Sequence, residues 1–441
     1  MRLTSSENTD DPKSHHPAAQ ATRSLEGKME LLLLTARWPI SSVHEFLDDE
    51  IAHLAARFDR VVVAPLRPQS SLVVELPPNV SVDTSLADSL VRCRLVPGYE
   101  SRVVTGAVRA ALPSPTGFGV TRAEVMQDGG DKAWWKQVLM SRADSASVAN
   151  WAKRRSAPDL AYTFWLGATT VGLRTAWPSV PIVSRVHGGD LYSEAHGWTS
   201  LPQQRRALDS ANLIASVSQH GHRYLQEKFP LSGPKLATRR LGIPPTEMTV
   251  GRSESIDGIR LLSVSSIDAN KRVDLIAEVV HELGRLGCKV TWTHLGTGPD
   301  RAHVERMLAD PPRTVAVRFP GQVSVAEVHR ELASGDGVFI NLSLSEGAPV
   351  SLMEAQRAGM PVVATRVGGT PEVAPANLNE LVDPTDSVAS IARAVMRAAA
   401  RPSSERAERR DYWARHFNAD MNYEAWALEL HSLVTGRSTG G

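Results

Sequence analysis

The sequence predicts an α/β protein built as two doubly wound Rossmann-like domains facing a cleft. Three observations carry this. Short apolar runs recur in two series, they are continuous rather than alternating, and stretches with helical periodicity separate them. A continuous run has no polar face, so such strands belong to parallel sheets covered on both sides by helices. The third observation is length: 441 residues exceed what one ordinary hydrophobic core organises.

The first series of strands runs Leu31 to Leu34, Val61 to Val63, Leu160 to Phe164, Ile182 to Val186 and Leu213 to Val217. The second runs Leu261 to Val264, Val290 to Leu295, Val315 to Phe319, Val338 to Asn341 and Val362 to Thr365. Helical periodicity is clearest in Phe46 to Ala56, in Arg272 to Leu286 before Gly287, and in Pro349 to Ala358 before Gly359 and Pro361. Residues 1–28 are polar, without an apolar signal-peptide centre, and are expected to be a disordered tail. The first domain is expected over 29–243, with an insertion at about 97–157 that fits the strand–helix pattern less well. A linker follows at 244–258, opening on Pro244-Pro245, and the second domain occupies 259–405. Helices over 406–434 are expected to cross back to the first domain.

Composition removes several functions. With 49 Lys and Arg against 48 Asp and Glu, the formal charge is +1, and nucleic acid is not an expected partner. The two cysteines, Cys93 and Cys288, form neither a disulfide framework nor a zinc cluster and suit a cytoplasmic setting. No apolar run approaches the roughly 18 residues of a bilayer-spanning helix.

Ligands of open α/β sheets bind beyond the carboxyl ends of the strands, so the chemistry is sought in the cleft. The most informative stretch is Asn341-Leu-Ser-Leu-Ser-Glu346-Gly-Ala-Pro349-Val-Ser-Leu-Met-Glu354. Glu346 leaves a buried strand, Pro349 suits the first turn of a helix, and Glu354 falls in its second turn. Between the carboxylates, the amides of Gly347, Ala348 and Val350 crown a helix N-terminus suited to a diphosphate. A sugar nucleotide offers hydroxyls, a diphosphate and a ribose in that order, matching Glu346, the amides and Glu354. Lys271 opens a helix after another strand, where its ammonium can stabilise a departing diphosphate. No Asp-x-Asp motif is present, so no required metal or other cofactor is expected.

On these residues the chain resembles the retaining glycosyltransferases of family 4, which have the GT-B fold and a Glu-x7-Glu motif in the second domain. Three further stretches support the resemblance: Ser263-Val-Ser-Ser-Ile-Asp-Ala-Asn-Lys271-Arg272, Trp292-Thr-His-Leu-Gly296-Thr-Gly298-Pro, and Val183-Ser-Arg-Val-His187-Gly188-Gly189-Asp190. Together they look most like bacterial exopolysaccharide, capsule and lipopolysaccharide enzymes.

The resemblance implies Glu346, His187 and Lys271 as catalytic groups. It implies donor contacts from Glu354, Arg272, Gly347, Ala348, Pro349, Val350, Gly296, Gly298, Gly188, Gly189 and Asp190. Ser266 stands where many relatives carry a second arginine, leaving Arg272 or Arg366 as a replacement. In the first domain, Glu45-Phe-Leu-Asp-Asp-Glu50-Ile resembles a segment of some exopolysaccharide members, with Ser41 and Ser42 placed to cap a helix.

The expected activity moves a sugar from a nucleotide-diphosphate donor to a saccharide or lipid-linked (polyprenyl) acceptor in surface polysaccharide synthesis. The alternative is a non-catalytic sugar-nucleotide-binding protein on the same fold. Tryptophan interleaved with cations, Trp134-Trp135-Lys136 and Trp151-Ala-Lys153-Arg154-Arg155, also suggests peripheral contact with the inner membrane face. Oligomeric state is not readable.

Overall fold

The computed structural model describes residues 28–40, 47–68, 74–95, 132–231, 235–246, 258–333 and 335–436. The expected tail, the helix-capping Ser41 and Ser42, Glu45, and most of the expected insertion and linker lie outside the described residues.

The first domain opens with strand β1 (Glu30–Thr35), helix α1 (Leu47–Ala55), β2 (Arg60–Pro65), β3 (Val80–Val82) and α2 (Ser85–Leu95). It continues with α3 (Lys132–Ala152), β4 (Leu160–Thr163), α4 (Ala168–Ala176), β5 (Ile182–Val186), α5 (Gln204–Ser210), β6 (Leu213–Ser216), α6 (Gln219–Lys228) and β7 (Lys235–Thr238). The second domain contains β8 (Ile259–Val264), α7 (Val273–Arg285), β9 (Val290–Leu295), α8 (Arg301–Met307), β10 (Val315–Gly321), α9 (Val325–Ala333), β11 (Val338–Asn341), α10 (Val350–Ala358) and β12 (Val362–Thr365). It closes with α11 (Thr370–Val373), β13 (Glu380–Val382), α12 (Val388–Ala399) and α13 (Glu405–His416), after which α14 (Ala419–Thr435) ends the described chain.

The strands form two parallel sheets, ordered β3-β2-β1-β4-β5-β6-β7 and β10-β9-β8-β11-β12-β13. Each order reverses once, between β1 and β4 in the first sheet and between β8 and β11 in the second. These reversals open crevices at the strands' carboxyl ends, where open α/β sheets take ligands.

The apolar runs are continuous because successive residues enter different cores. In the second sheet Leu261, Val338, Ile340 and Val363 pack on one face, while Leu262, Phe339, Val362 and Ala364 pack on the other. The first sheet divides its residues likewise, Leu31, Leu33, Val61 and Val63 against Leu32, Leu34, Val62 and Ala64. Strand period two thus converts an unbroken apolar run into two buried faces.

The chain crosses between domains at two places that touch. Ile243 N donates to Phe417 O at 3.0 Å and Ala419 N donates to Ile243 O at 3.0 Å. Past this crossing, α14 lays Trp426, Ala427 and Leu430 into the core on one face of the first sheet. The Glu50 and Arg185 side chains meet there as an ion pair at 2.5 Å, both wholly buried, with the guanidinium 5.0 Å from the centre of the Trp426 ring.

Packing takes two of the three tryptophans out of the peripheral membrane contact expected of this helix, while Trp135 stays half-exposed. In α3, which lies against α4 and α2, Trp134 and Trp151 are 3% exposed. Their indole N–H groups donate to Ser200 O at 3.0 Å and Ser85 Oγ at 2.8 Å. Arg155 is ion-paired with Asp83 and lies over the Trp151 ring. These rings therefore face their own domain. Among the described residues no helix is long and apolar enough to cross a membrane.

Candidate active site

The second sheet's crevice holds the Glu346 loop, which follows β11, beside the loop following β8. Lys271 Nζ donates to Glu346 Oε1 at 2.7 Å, and Asn341 Nδ2 lies 3.5 Å from the same oxygen. The ammonium expected to stabilise a departing diphosphate is docked on a largely buried carboxylate, 8% exposed. Each group compensates the desolvation of the other, and an arriving diphosphate would compete for the same ammonium.

Two side chains that sequence reasoning left without a role hold this arrangement. Asp268 Oδ1 accepts the amides of Asn270 and Lys271, both at 3.0 Å. Asn270 clasps the facing loop, its Nδ2 donating to Ser345 O at 3.2 Å and its Oδ1 accepting Ser345 N at 3.1 Å. A short Asp-x-Asn between a strand and a helix is the signal that would have found them.

Helix α10 begins one residue later than expected, with Pro349 as its N-cap at φ −71°. Among the described residues no acceptor meets the amides of Gly347, Ala348 or Val350. The loop is backed by Gly368, at φ +49°, where a Cβ would stand 1.8 Å from Glu346 O. Only glycine fits that position.

Glu354, in the second turn of α10, has Oε1 3.3 Å from His329 Nε2 on α9, and its side chain is 13% exposed. His329 was not foreseen. Nothing in its own segment, Val325 to Ala333, distinguishes it from an ordinary surface histidine.

Arg272 requires a correction. Its backbone is left-handed (φ 47°), and its guanidinium is engaged by carbonyls, Nε donating to Leu342 O at 2.6 Å and Nη1 to Pro384 O at 2.9 Å. It braces the strand end behind Glu346. Arg366, the other replacement for the arginine missing at Ser266, sits on the surface 3.8 Å from Asp383. Gly296 and Gly298 lie where a Cβ would collide with Ser265 O and Ile267 O, so that loop packs tightly on the one leading to Lys271.

The first domain brings His187 to the opposite side. The imidazole is 5% exposed, has Nε2 3.0 Å from Phe164 O, and packs on the Trp165 ring at 4.3 Å. Burial, helped by the charge of Arg185, lowers its pKa to about 3, so the ring is neutral at ordinary pH. Asp190 shapes the loop by accepting His187 N at 2.6 Å and Leu166 N at 2.7 Å. Its own burial pushes its pKa up to about 7 against the pull of those amides. Gly189 lies beside Trp165.

Contact between the domains is made glycine to glycine. A Cβ on Gly188 would lie 2.8 Å from Gly347 N, and one on Gly347 would lie 2.5 Å from Gly188 N. Beside it, Glu372 reaches from the second domain to cap α6 of the first, accepting Gln219 N at 2.9 Å and His220 N at 2.7 Å. Its carboxylate complements the positive end of that helix.

Two facing α/β domains, with Glu346, Lys271 and free helix amides on one side of the cleft and His187 on the other, have the GT-B architecture. Residues 258–401 match the family model described as glycosyl transferases group 1. Over that domain the chain is similar to the group 1 glycosyltransferases.

Two relatives show the reach of the similarity. The chain is 34% identical over 143 residues to a phosphatidylinositol N-acetylglucosaminyltransferase subunit of Arabidopsis thaliana, covering 32% of each chain. It is 28% identical over 170 residues to "Amylovoran biosynthesis glycosyltransferase AmsK" of Erwinia amylovora, covering 37% of this chain and 42% of that one. The match therefore spans well under two thirds of the length of these relatives. Across the whole fold, the solved structure of the lipopolysaccharide outer core galactosyltransferase WaaB superposes with a TM-score of 0.60 at 13% identity, covering 92% of this chain and 100% of that chain.

Proposed function

We propose that the chain transfers a sugar from a nucleotide-diphosphate donor to a saccharide or lipid-linked saccharide acceptor, with retention of anomeric configuration. The observation that carries this is the Lys271–Glu346 pair at 2.7 Å beside the open amides of α10. Helix-end amides and an ammonium together stabilise negative charge developing on a leaving diphosphate. In the step proposed, the bond from the anomeric carbon to the diphosphate oxygen breaks. The acceptor oxygen bonds to that carbon from the same face, and its proton passes to the departing phosphate oxygen. Glu346 holds the sugar and favours positive charge at the anomeric carbon, while Glu354 accepts the ribose hydroxyls. His187, neutral and held against Trp165, shapes the wall beside the donor sugar.

A role in surface polysaccharide synthesis is supported by the amylovoran enzyme's name and by the four stretches of matching sequence, and the setting proposed for it is the cytoplasmic side of a membrane. Among the described residues no cluster of three or more His, Cys, Asp or Glu is placed to hold a metal. Turnover is accordingly proposed to continue in EDTA.

The test is incubation with UDP-, GDP- and ADP-sugars, following nucleoside diphosphate release with and without acceptor and reading the first product by proton NMR. Release that requires Lys271 and a product of retained configuration are expected. No release with any donor, or an inverted product, would reject the reading.

A further inference from the structure

The first sheet has a crevice of its own, and its chemistry differs from the donor side. A cavity of about 490 Å³ lies at the carboxyl ends of β1, β2 and β4, where the strand order reverses. Its walls are apolar, with Leu34, Leu66, Phe164 and Trp165 among them, and Arg37 and Arg67 line it as well. The two arginines are neighbours because Arg67 N donates to Ala36 O at 2.8 Å, extending the pairing of β1 and β2 past the strand ends.

The arginines stand apart from others in this domain. Arg57, Arg60, Arg155 and Arg185 are each paired with a carboxylate, whereas neither Arg37 nor Arg67 has a side-chain partner among the described residues. Two like charges lining one concave, mostly apolar space repel each other until an anion joins them. The opening turn of α4, at Ala168 and Thr169, lines the same cavity and adds backbone N–H groups of the same polarity. The cavity is also joined to the donor side. Phe164 and Trp165, in its wall, pack on His187, and the next residue, Gly188, touches Gly347.

We infer that this cavity is the acceptor subsite and that it selects acceptors carrying a phosphate or diphosphate group, held by Arg37 and Arg67. The inference rests on the glycosyltransferase reading. The indole of Trp165 offers a flat apolar surface for the face of a sugar ring, and the guanidinium pair binds the phosphate in the bidentate manner arginine favours. The shared chemistry is a phosphate ester, whether from a soluble sugar phosphate or from a lipid-linked diphosphate.

The experiment measures equilibrium binding of glucose 6-phosphate, farnesyl diphosphate and unphosphorylated glucose to the full chain by calorimetry, in parallel with UDP, GDP and ADP. Arg37→Ala and Arg67→Ala should each weaken the phosphorylated probes by about tenfold or more, the loss expected for a charge-assisted contact. Arg67→Lys, which keeps the charge but not the fork, should lie between. Both arginines are exposed, so these variants keep the fold, which unchanged melting temperatures would verify. Nucleoside diphosphate binding should be unaffected by them and weakened by Glu354→Gln.

Preference for glucose 6-phosphate assigns a soluble source, and preference for farnesyl diphosphate a lipid-linked one. Phosphorylated probes that bind no better than glucose, or that bind the arginine variants as tightly as the parent, would overturn the inference. Failure of all three nucleoside diphosphates to bind would instead count against the donor reading, and the two failures are separable.

Discussion

Glu354 meets His329 at 3.3 Å, so its carboxylate is already oriented before a ribose arrives. Hydrogen bonds to a charged group contribute roughly 1.5–3 kcal/mol, so Glu354→Gln should raise the donor KM about tenfold or more with little change in kcat. Lys271→Ala should act chiefly on kcat, because its charge is needed most as the diphosphate leaves. Steady-state kinetics with the donor varied checks both, and an unchanged KM in Glu354→Gln would sink the assignment.

The buried titrating groups set a pH dependence of stability. His187 is held down to about 3 and His294 to about 4, both chiefly by burial. Between pH 6.5 and 4 the unfolded chain thus takes up two protons that the native chain refuses, and acid destabilises the fold. Asp190, raised to about 7, keeps its proton in the native state over that window and opposes the effect. Two histidines against one carboxyl leave a net loss of stability as pH falls below 6.5, to which the lowered His220, His222 and His416 add. Urea midpoints at pH 5 and 6.5 should show it, and His294→Gln should flatten the slope.

At this scale the sequence was readable where chemistry forces a residue type and opaque where it does not. Glu346 and Gly347 stand out because an acid and a small residue fall in order before one helix start, and Lys271 because a cation stands before another. Arg272 could not be resolved, since the same guanidinium serves a phosphate or a carbonyl and only its left-handed backbone turns it to Leu342.

Among the elements, the central strands were legible because each is buried on both faces and reads as an unbroken apolar run. Strands β3, β7 and β13 escaped notice for the opposite reason: they are three- or four-residue edge strands whose side chains are largely half-exposed. Helix α3 was ambiguous for another reason, because tryptophans beside cations look alike whether they face lipid or the protein's own helices. The glycine contact between the β5 and β11 loops gives an element-level prediction. Gly188→Ala would push a methyl into Gly347 N and hold the loops apart, lowering kcat/KM about tenfold or more through misplacement. The melting temperature should barely move, since the contact lies between the domains. Normal kinetics in this variant would contradict it.

The α1–β5 pair supplies another. Glu50→Ala leaves Arg185 buried without its partner, and removing one member of such a pair costs about 3–5 kcal/mol. Replacing both, Glu50→Leu with Arg185→Met, should recover much of that loss in urea denaturation. A double variant no better than the single would show that the aromatic surroundings, rather than the unpaired charge, set the cost.

For the molecule as a whole, the two crevices face each other from domains between which the chain passes where Ile243 runs beside residues 417–419. The fold class was readable from the two strand series alone. Which crevice carries acidic groups and which carries arginines depends on loops converging from distant sequence, and no local pattern encodes that.

The final helix carries a consequence for synthesis. Helix α14 covers one face of the first sheet with Trp426, Ala427 and Leu430, yet a ribosome makes those residues only after both sheets. Throughout elongation the first domain has its strands but not its lid, and an apolar face remains open to other chains. Completion of the first domain is thereby delayed until the second has been made. A chain released before residue 419 would expose the same surface that α14 covers once it is made, a physical mark of an unfinished copy.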